Sequence, residues 1–201
     1  MCGPWSSGTT AVAGLLARLG MNGMPPFLST VDERTPNSYE SIAFRAAVDE
    51  VASEATVSVT APPPVIVERL TAFRERIVRQ EHGPYAGERI FLKYPLSALV
   101  IPQLCEVFRT RIVYVLRPIR DIEATRARRG WGPHTGAPGG QVLYGAMFRS
   151  LVEHRIPMPL MLRFAELIED PVATARELAR FADLDVEPGR IAEAAAFVRR
   201  A

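Results

Sequence analysis

The chain has 201 residues, of which 48% are apolar, and its 24 basic and 22 acidic side chains leave a formal net charge of +2. This length and composition predict one domain, spanning residues 1–201, with a sizeable core. The near-neutral charge argues against a general polyanion binder, so nucleic acid is not an expected partner. Cys2 and Cys105 suit neither a disulfide framework nor a metal site. The N-terminus has no basic signal-like region or membrane-length apolar run, which predicts a cytoplasmic location and no membrane partner.

The first element is a small, hydroxyl-rich turn, Gly3-Pro4-Trp5-Ser6-Ser7-Gly8-Thr9-Thr10, which leads into a helix predicted over residues 9–19. The first N–H groups of a helix lack partners within it, and the helix dipole adds positive charge there, so such a turn suits a phosphate group. The turn is not a Walker A sequence, because Thr9 and not a lysine follows Gly8. We predict anion contacts from Ser6, Ser7, Gly8, Thr9 and Thr10.

Helices and short strands alternate along the rest of the chain. Apolar residues at helical spacing predict helices over residues 39–53, 65–79, 97–108 and 142–154. Short apolar runs predict strands at 89–93, 111–116 and 160–164, and two helices close the chain. Strands joined through helices favour an α/β fold with a mostly parallel central sheet and helices on both of its faces.

A second phosphate-binding pattern follows the strand at 111–116. Arg117 leaves the carboxyl end of that strand, which is where open α/β sheets bind ligands. A helix that begins near Pro118 would bring Thr125 toward the same anion, and a guanidinium can bind a phosphate through two hydrogen bonds. A helix with a solvated arginine face is the competing interpretation of these residues.

Two later segments complete the pattern. Residues 130–140 are rich in glycine and proline and contain Trp131 and His134, which predicts a mobile loop over a site. Residues 159–171 combine a strand that ends at Phe164 with an Asp170-Pro171 turn and a following helix.

Three of these segments resemble, in chain order, the motifs of sulfotransferases that use 3′-phosphoadenosine 5′-phosphosulfate (PAPS). Ser7-Gly8-Thr9-Thr10 resembles the loop that holds the 5′-phosphosulfate, although Ser6 stands where that family commonly has a cation. Arg117, Asp121 and Thr125 have the offsets of its 3′-phosphate motif, and Phe164 replaces a tyrosine of its later strand-and-turn pattern. The resemblance implies a three-layer P-loop-like fold and PAPS as co-substrate, with no metal. It also implies sulfuryl transfer to a hydroxyl of a small-molecule or sugar acceptor.

Sulfuryl transfer needs a cation near the leaving phosphate and a base for the proton of the acceptor. Lys93, which ends the predicted strand at 89–93, matches the lysine that the resembled family has at this place. The histidine that often follows such a lysine is missing, because Tyr94 and Pro95 come next. Glu40 is the first candidate for the base and His134 the second, with Asp32 and Glu33 behind them.

Two other functions stay open at this point. A P-loop kinase or nucleotide hydrolase would need a Walker lysine and an acidic magnesium ligand, whereas Arg117 occupies the strand end where that acid would stand. A catalytically impaired nucleotide-binding domain would keep the phosphate contacts without turnover. The identity of the acceptor and the oligomeric state are not predicted.

Overall fold

A computed structural model describes residues 1–29, 37–78 and 89–198. Within them the helices are α1 (Thr9–Arg18), α2 (Ile42–Asp49), α3 (Pro63–Val78), α4 (Ile101–Val107), α5 (Ile119–Arg129), α6 (Ala137–Glu153), α7 (Phe164–Glu169), α8 (Pro171–Phe181) and α9 (Pro188–Ala196). The strands are β1 (Phe27–Ser29), β2 (Asn37–Ser41), β3 (Ala52–Ser53), β4 (Ser58–Val59), β5 (Val113–Leu116) and β6 (Leu160–Arg163). The fold is therefore α/β, as predicted, with short strands between longer helices.

The strands form three two-stranded pairings in the described part of the chain. β1 pairs with β2 and β3 pairs with β4, both antiparallel, whereas β5 pairs with β6 in parallel. Two isolated parallel bridges, Cys2 to Tyr114 and Asn22 to Ile90, add to the parallel pairing. The predicted strand at 89–93 is present only as the second of these bridges.

The chain start lies among these parallel segments. The amide of Cys2 donates to the carbonyl of Val113 at 2.8 Å, and the amide of Val115 donates back to the carbonyl of Cys2 at 3.0 Å. On the other side, the amino group of Met1 donates to the carbonyl of Leu92 at 2.9 Å. The two residues before the glycine turn thus hydrogen-bond to backbone on both sides and form a short strand-like segment.

Alternate residues of β5 face two different apolar clusters. Tyr114 belongs to a cluster with side chains of α2, α3, α4 and α6, whereas Val113 and Val115 belong to a cluster with side chains of α1, α8 and α9. This is the pattern of a strand that is buried on both faces. Helices therefore pack on both sides of β5.

Several boundaries differ from the sequence prediction. The helix expected from residue 39 begins only at Ile42, after the Ser41 hydroxyl that caps it, so Glu40 lies in a strand. The mobile loop expected over residues 130–140 is instead ordered, with a 3₁₀ turn at Pro133–Thr135 and α6 from Ala137 onward. The N–H groups in the first turn of a helix have no partner within it, so a proline there costs no hydrogen bond. Pro138 is therefore compatible with the early start of α6.

None of the described helices is both long and apolar enough to cross a bilayer.

Candidate functional site

The turn that precedes α1 has the backbone shape that its glycine demands. Gly8 is the N-cap of α1 and has a left-handed conformation with φ of 102°. A Cβ at this position would also lie 2.3 Å from Cδ2 of Phe164, because the aromatic ring packs directly against the glycine. Gly8 is therefore required both by its dihedral angle and by the close approach of the ring.

The same turn holds two hydroxyl groups that lack partners. The Oγ atoms of Ser6 and Ser7 are buried, and neither has a hydrogen-bond partner in the described part of the protein. No side chain caps α1, so the first N–H groups of this helix have no side-chain acceptor. A buried polar group without a partner costs about 1–3 kcal/mol, so this concentration of unpaired donors indicates a place for an acceptor-rich ligand.

Arg117 lies against the turn. Its Nη1 donates to the carbonyl of Ser6 at 2.8 Å, and its guanidinium lies 4.6 Å from the ring centroid of Phe164. Phe164 thus contacts both Gly8 and Arg117. Within the described residues Arg117 forms no ion pair, and burial lowers the pKa of its guanidinium, with Arg128 and Arg129 acting in the same direction and Asp121 opposing.

Tyr144 of α6 holds the backbone at Arg117. Its hydroxyl accepts from the amide of Arg117 at 2.7 Å and donates to the carbonyl of Arg117 at 2.8 Å. Thr125 is buried in α5 and donates its hydroxyl to the carbonyl of Asp121, so its oxygen offers only lone pairs while that bond lasts.

The predicted cation and the predicted base form a buried ion pair beside the turn. Nζ of Lys93 lies 2.6 Å from Oε1 of Glu40, and the two side chains are only 5% and 10% exposed. The same ammonium donates to the carbonyl of Ser38 at 3.1 Å and to Oγ1 of Thr10 at 3.2 Å. Lys93 therefore contacts the first turn of α1, and Glu40 in turn contacts Lys93.

Arg45 of α2, which the sequence analysis missed, joins this pair to further acids. Its guanidinium lies 3.6 Å from Oε2 of Glu40, 3.3 Å from Asp49 and 2.6 Å from Glu54, and it packs over the ring of Tyr94. Burial alone would lower the pKa of Arg45, but Tyr94 and the three carboxylates together raise it. The i, i+4 spacing of Arg45 and Asp49 was the one signal in the sequence that could have pointed to this cluster.

His134 lies at the far end of the same cluster. Its Nε2 is 3.6 Å from Oε1 of Glu54, and its ring meets that of Trp5 edge-on, with the centroids 5.9 Å apart. Trp5 belongs to the glycine turn, so His134 lies near the turn but reaches Glu40 only through Glu54 and Arg45. The structure thus brings Lys93 and Glu40 into direct contact and sets His134 apart from them.

The remaining predicted residues fall into two groups. Thr9 is buried in the first turn of α1, beside Thr10, which has the Lys93 contact. Asp32 and Glu33 lie outside the described residues, so their candidacy stays a prediction. No group of three or more histidine, cysteine, aspartate or glutamate side chains that could hold a metal ion occurs in the described ranges.

No family model, curated protein or solved structure matches this chain. The function proposed for it therefore depends on the residues and the geometry of the site.

Proposed function

We propose that this protein is a sulfotransferase that binds PAPS between the glycine turn and Arg117 and transfers its sulfuryl group to a hydroxyl of a small-molecule or sugar acceptor. The observation that carries the proposal is the contact of Arg117 with Ser6 beside two buried, unpartnered serine hydroxyls. A cation that forms no ion pair within the described residues, beside several unpaired donors at a helix N-terminus, forms a binding surface for an anion.

The lateral order of the parallel segments supports this position for the nucleotide. The segment of Met1 and Cys2 lies in the middle of the parallel segments. The next two segments along the chain, at Asn22 and at residues 89–92, lie on one side of it, and the two that come later, β5 and β6, lie on the other. In open α/β sheets ligands bind where the strand order reverses, outside the carboxyl ends of the strands. The glycine turn and Arg117 leave two such ends. We take this order, with helices packed on both faces of β5, as a three-layer P-loop-like arrangement.

Each end of the nucleotide would have its own protein contacts. The N–H groups at the start of α1 and the hydroxyls of Ser6, Ser7 and Thr10 would hold the 5′-phosphosulfate, because they converge on one helix terminus. Arg117 would bind the 3′-phosphate. The ring of Phe164, which contacts both Gly8 and Arg117, would hold the turn and the guanidinium in place. The lack of a loop cation at Ser6 leaves the positive charge at the 5′ end to Lys93.

Lys93 and Glu40 would act on the group in transfer. The Lys93 ammonium donates to Glu40, Ser38 and Thr10, and it would exchange the contact with Thr10 for one with the departing phosphate oxygen, whose growing charge it would neutralise. Glu40 is the adjacent carboxylate and can take the proton from the acceptor hydroxyl. As the oxygen of the acceptor bonds to sulfur, the bond between sulfur and the phosphate oxygen breaks, which leaves adenosine 3′,5′-bisphosphate and a sulfate ester.

Calorimetry with adenosine 3′,5′-bisphosphate tests the binding half of the proposal. An Arg117→Ala variant should bind the bisphosphate about ten- to a hundredfold more weakly, which corresponds to the loss of charge-assisted hydrogen bonds. Arg120→Ala is the matched control, since the Arg120 side chain in the first turn of α5 is 88% exposed, and it should leave the affinity unchanged. Equal affinities for the native protein and both variants would refute the position of the phosphates.

Transfer of labelled sulfate from PAPS to a panel of alcohols and sugars tests the catalytic half. Glu40→Gln should lower the turnover by about 10²- to 10⁴-fold, the usual contribution of a positioned base, with little change in the affinity for the bisphosphate. Binding of the bisphosphate without any transfer would favour a nucleotide-binding domain without catalysis. Magnesium-dependent turnover of ATP would favour the kinase or hydrolase alternative.

A further inference from the structure

A cavity lies at the end of the parallel segments opposite to the glycine turn and Arg117. It has a volume of about 590 Å³, within the range of sites for small organic ligands. Ile112 and Val113 line it at the amino end of β5, whereas Arg117 follows the carboxyl end of the same strand.

The walls of this cavity are apolar in the interior. Phe44, Ile101, Leu104 and Leu178 line it, and each is at most 9% exposed. Ser97, a buried polar residue of the wall, is already paired, since its hydroxyl donates to the carbonyl of Tyr94 at 2.6 Å. A ligand there would find hydrophobic surface and few groups that need a hydrogen bond, so its inner part must be apolar.

The mouth of the cavity is basic. Three exposed arginines lie among the lining residues, Arg89, Arg109 and Arg111, against one exposed carboxylate, that of Asp183. Arg89 pairs with Asp183 at 3.0 Å, and Arg111 donates to the carbonyl of Phe181 and lies 3.9 Å from the same carboxylate. Arg109 has no hydrogen bond or ion pair to any residue in the described ranges, so its guanidinium is available to an anion.

We propose that this cavity binds an amphiphilic anion, a medium-chain fatty carboxylate, with its tail against Phe44, Ile101 and Leu104 and its carboxylate at Arg109. The apolar interior gains free energy in proportion to the tail surface that leaves water. The excess of guanidinium groups over carboxylates at the mouth selects a negative head group over a neutral or positive one. This site is separate from the nucleotide site, and the proposal does not rest on sulfotransferase activity.

Calorimetry with sodium dodecanoate, below the concentration at which it forms micelles, tests the proposal. We expect saturable binding to the native protein and none of comparable affinity for dodecyltrimethylammonium, which has the same tail and a positive head. Arg109→Glu should weaken the binding of dodecanoate at least about tenfold, or ~1.4 kcal/mol. Arg120→Glu makes the same change of charge on α5, away from the cavity, and should leave the affinity as it is.

A second variant tests the tail. Leu104→Trp places a larger side chain in the cavity and should weaken dodecanoate binding, and its thermal unfolding should be followed to verify that it is folded. Saturating adenosine 3′,5′-bisphosphate should leave the affinity for dodecanoate unchanged, because the two sites lie at opposite ends of β5. Absence of binding, equal binding of both detergents, equal effects of the two charge reversals, or competition by the bisphosphate would each overturn the proposal.

Discussion

At the scale of single residues, the ion pair of Lys93 and Glu40 is the feature on which both stability and the proposed chemistry depend. Removing two charges from water is costly, and their attraction repays this only when all their hydrogen bonds are made. Lys93 meets this condition, with its three donors shared among Glu40, Ser38 and Thr10. Replacing either Lys93 or Glu40 should therefore lower the free energy of unfolding by more than the loss of one hydrogen bond would.

Lys93→Met should lower the free energy of unfolding by about 3–5 kcal/mol, because it leaves a buried carboxylate without its closest partner. The double variant Lys93→Met/Glu40→Gln should be less unstable than the sum of the single changes, by about 1–3 kcal/mol. Urea denaturation of all four proteins measures this coupling. Arg69→Met is the matched control, since Arg69 pairs with Glu50 in the open, and it should cost no more than about 1 kcal/mol. Strict additivity of the two changes would contradict the prediction.

At the scale of elements, two of the three glycines of α6 lie in opposite surroundings. A Cβ at Gly139 would lie 1.7 Å from the carbonyl oxygen of His134, whereas a Cβ at Gly145 would have nothing within 4 Å. The first glycine permits the close packing of α6 on the 3₁₀ turn that positions His134. The second has no such role, so it only weakens the helix.

The two alanine variants of α6 should therefore have opposite signs. Gly139→Ala should destabilise the protein by about 2–3 kcal/mol, because backbone must move to admit the methyl group. Gly145→Ala should stabilise it by up to about 1 kcal/mol, since alanine favours a helix interior over glycine. Thermal and urea unfolding of both variants check this. A loss of stability in Gly145→Ala, or none in Gly139→Ala, would contradict the described position of α6.

The elements also show what the sequence could and could not predict. The strand that ends before Arg117 and the helix that begins at Thr9 were predicted within two residues, because apolar runs and glycine or proline boundaries are local signals. The direct contact of Arg117 with the turn was not predicted, because it depends on how distant segments pack. The i, i+4 spacing indicates only the pair of Arg45 and Asp49, and the contacts of Arg45 with Tyr94 and Glu54 could not be predicted, because they depend on how α2 packs.

At the scale of the whole molecule, buried tyrosines make stability depend on alkaline pH. Burial raises the pKa of Tyr94, Tyr114 and Tyr144 above the ordinary value of about 10, and a hydrogen bond from Tyr94 to Asp49 adds to the effect. Above that pH the unfolded chain loses these protons while the folded protein keeps them. The stabilisation is thus complete below about pH 10 and is lost as the pH rises further.

We therefore expect the free energy of unfolding to fall between pH 10 and 11 by up to about 1.4 kcal/mol per pH unit for each such tyrosine. Tyr114→Phe should make this fall less steep by the contribution of one tyrosine, whatever its effect on the free energy of unfolding at pH 8. Urea denaturation at pH 8, 10 and 11 measures the slope. An identical slope in the variant would show that Tyr114 ionises equally in the folded and unfolded states.

The packing of Phe164 under Gly8 has a consequence for how the protein is made. The ring that packs against the glycine turn comes from late in the sequence, and Phe197, the C-cap of α9, packs just as closely on Gly14 of α1. Both rings are synthesised long after the turn. The glycine turn and α1 therefore reach their final packing only once the segments that contain Phe164 and Phe197 have left the ribosome.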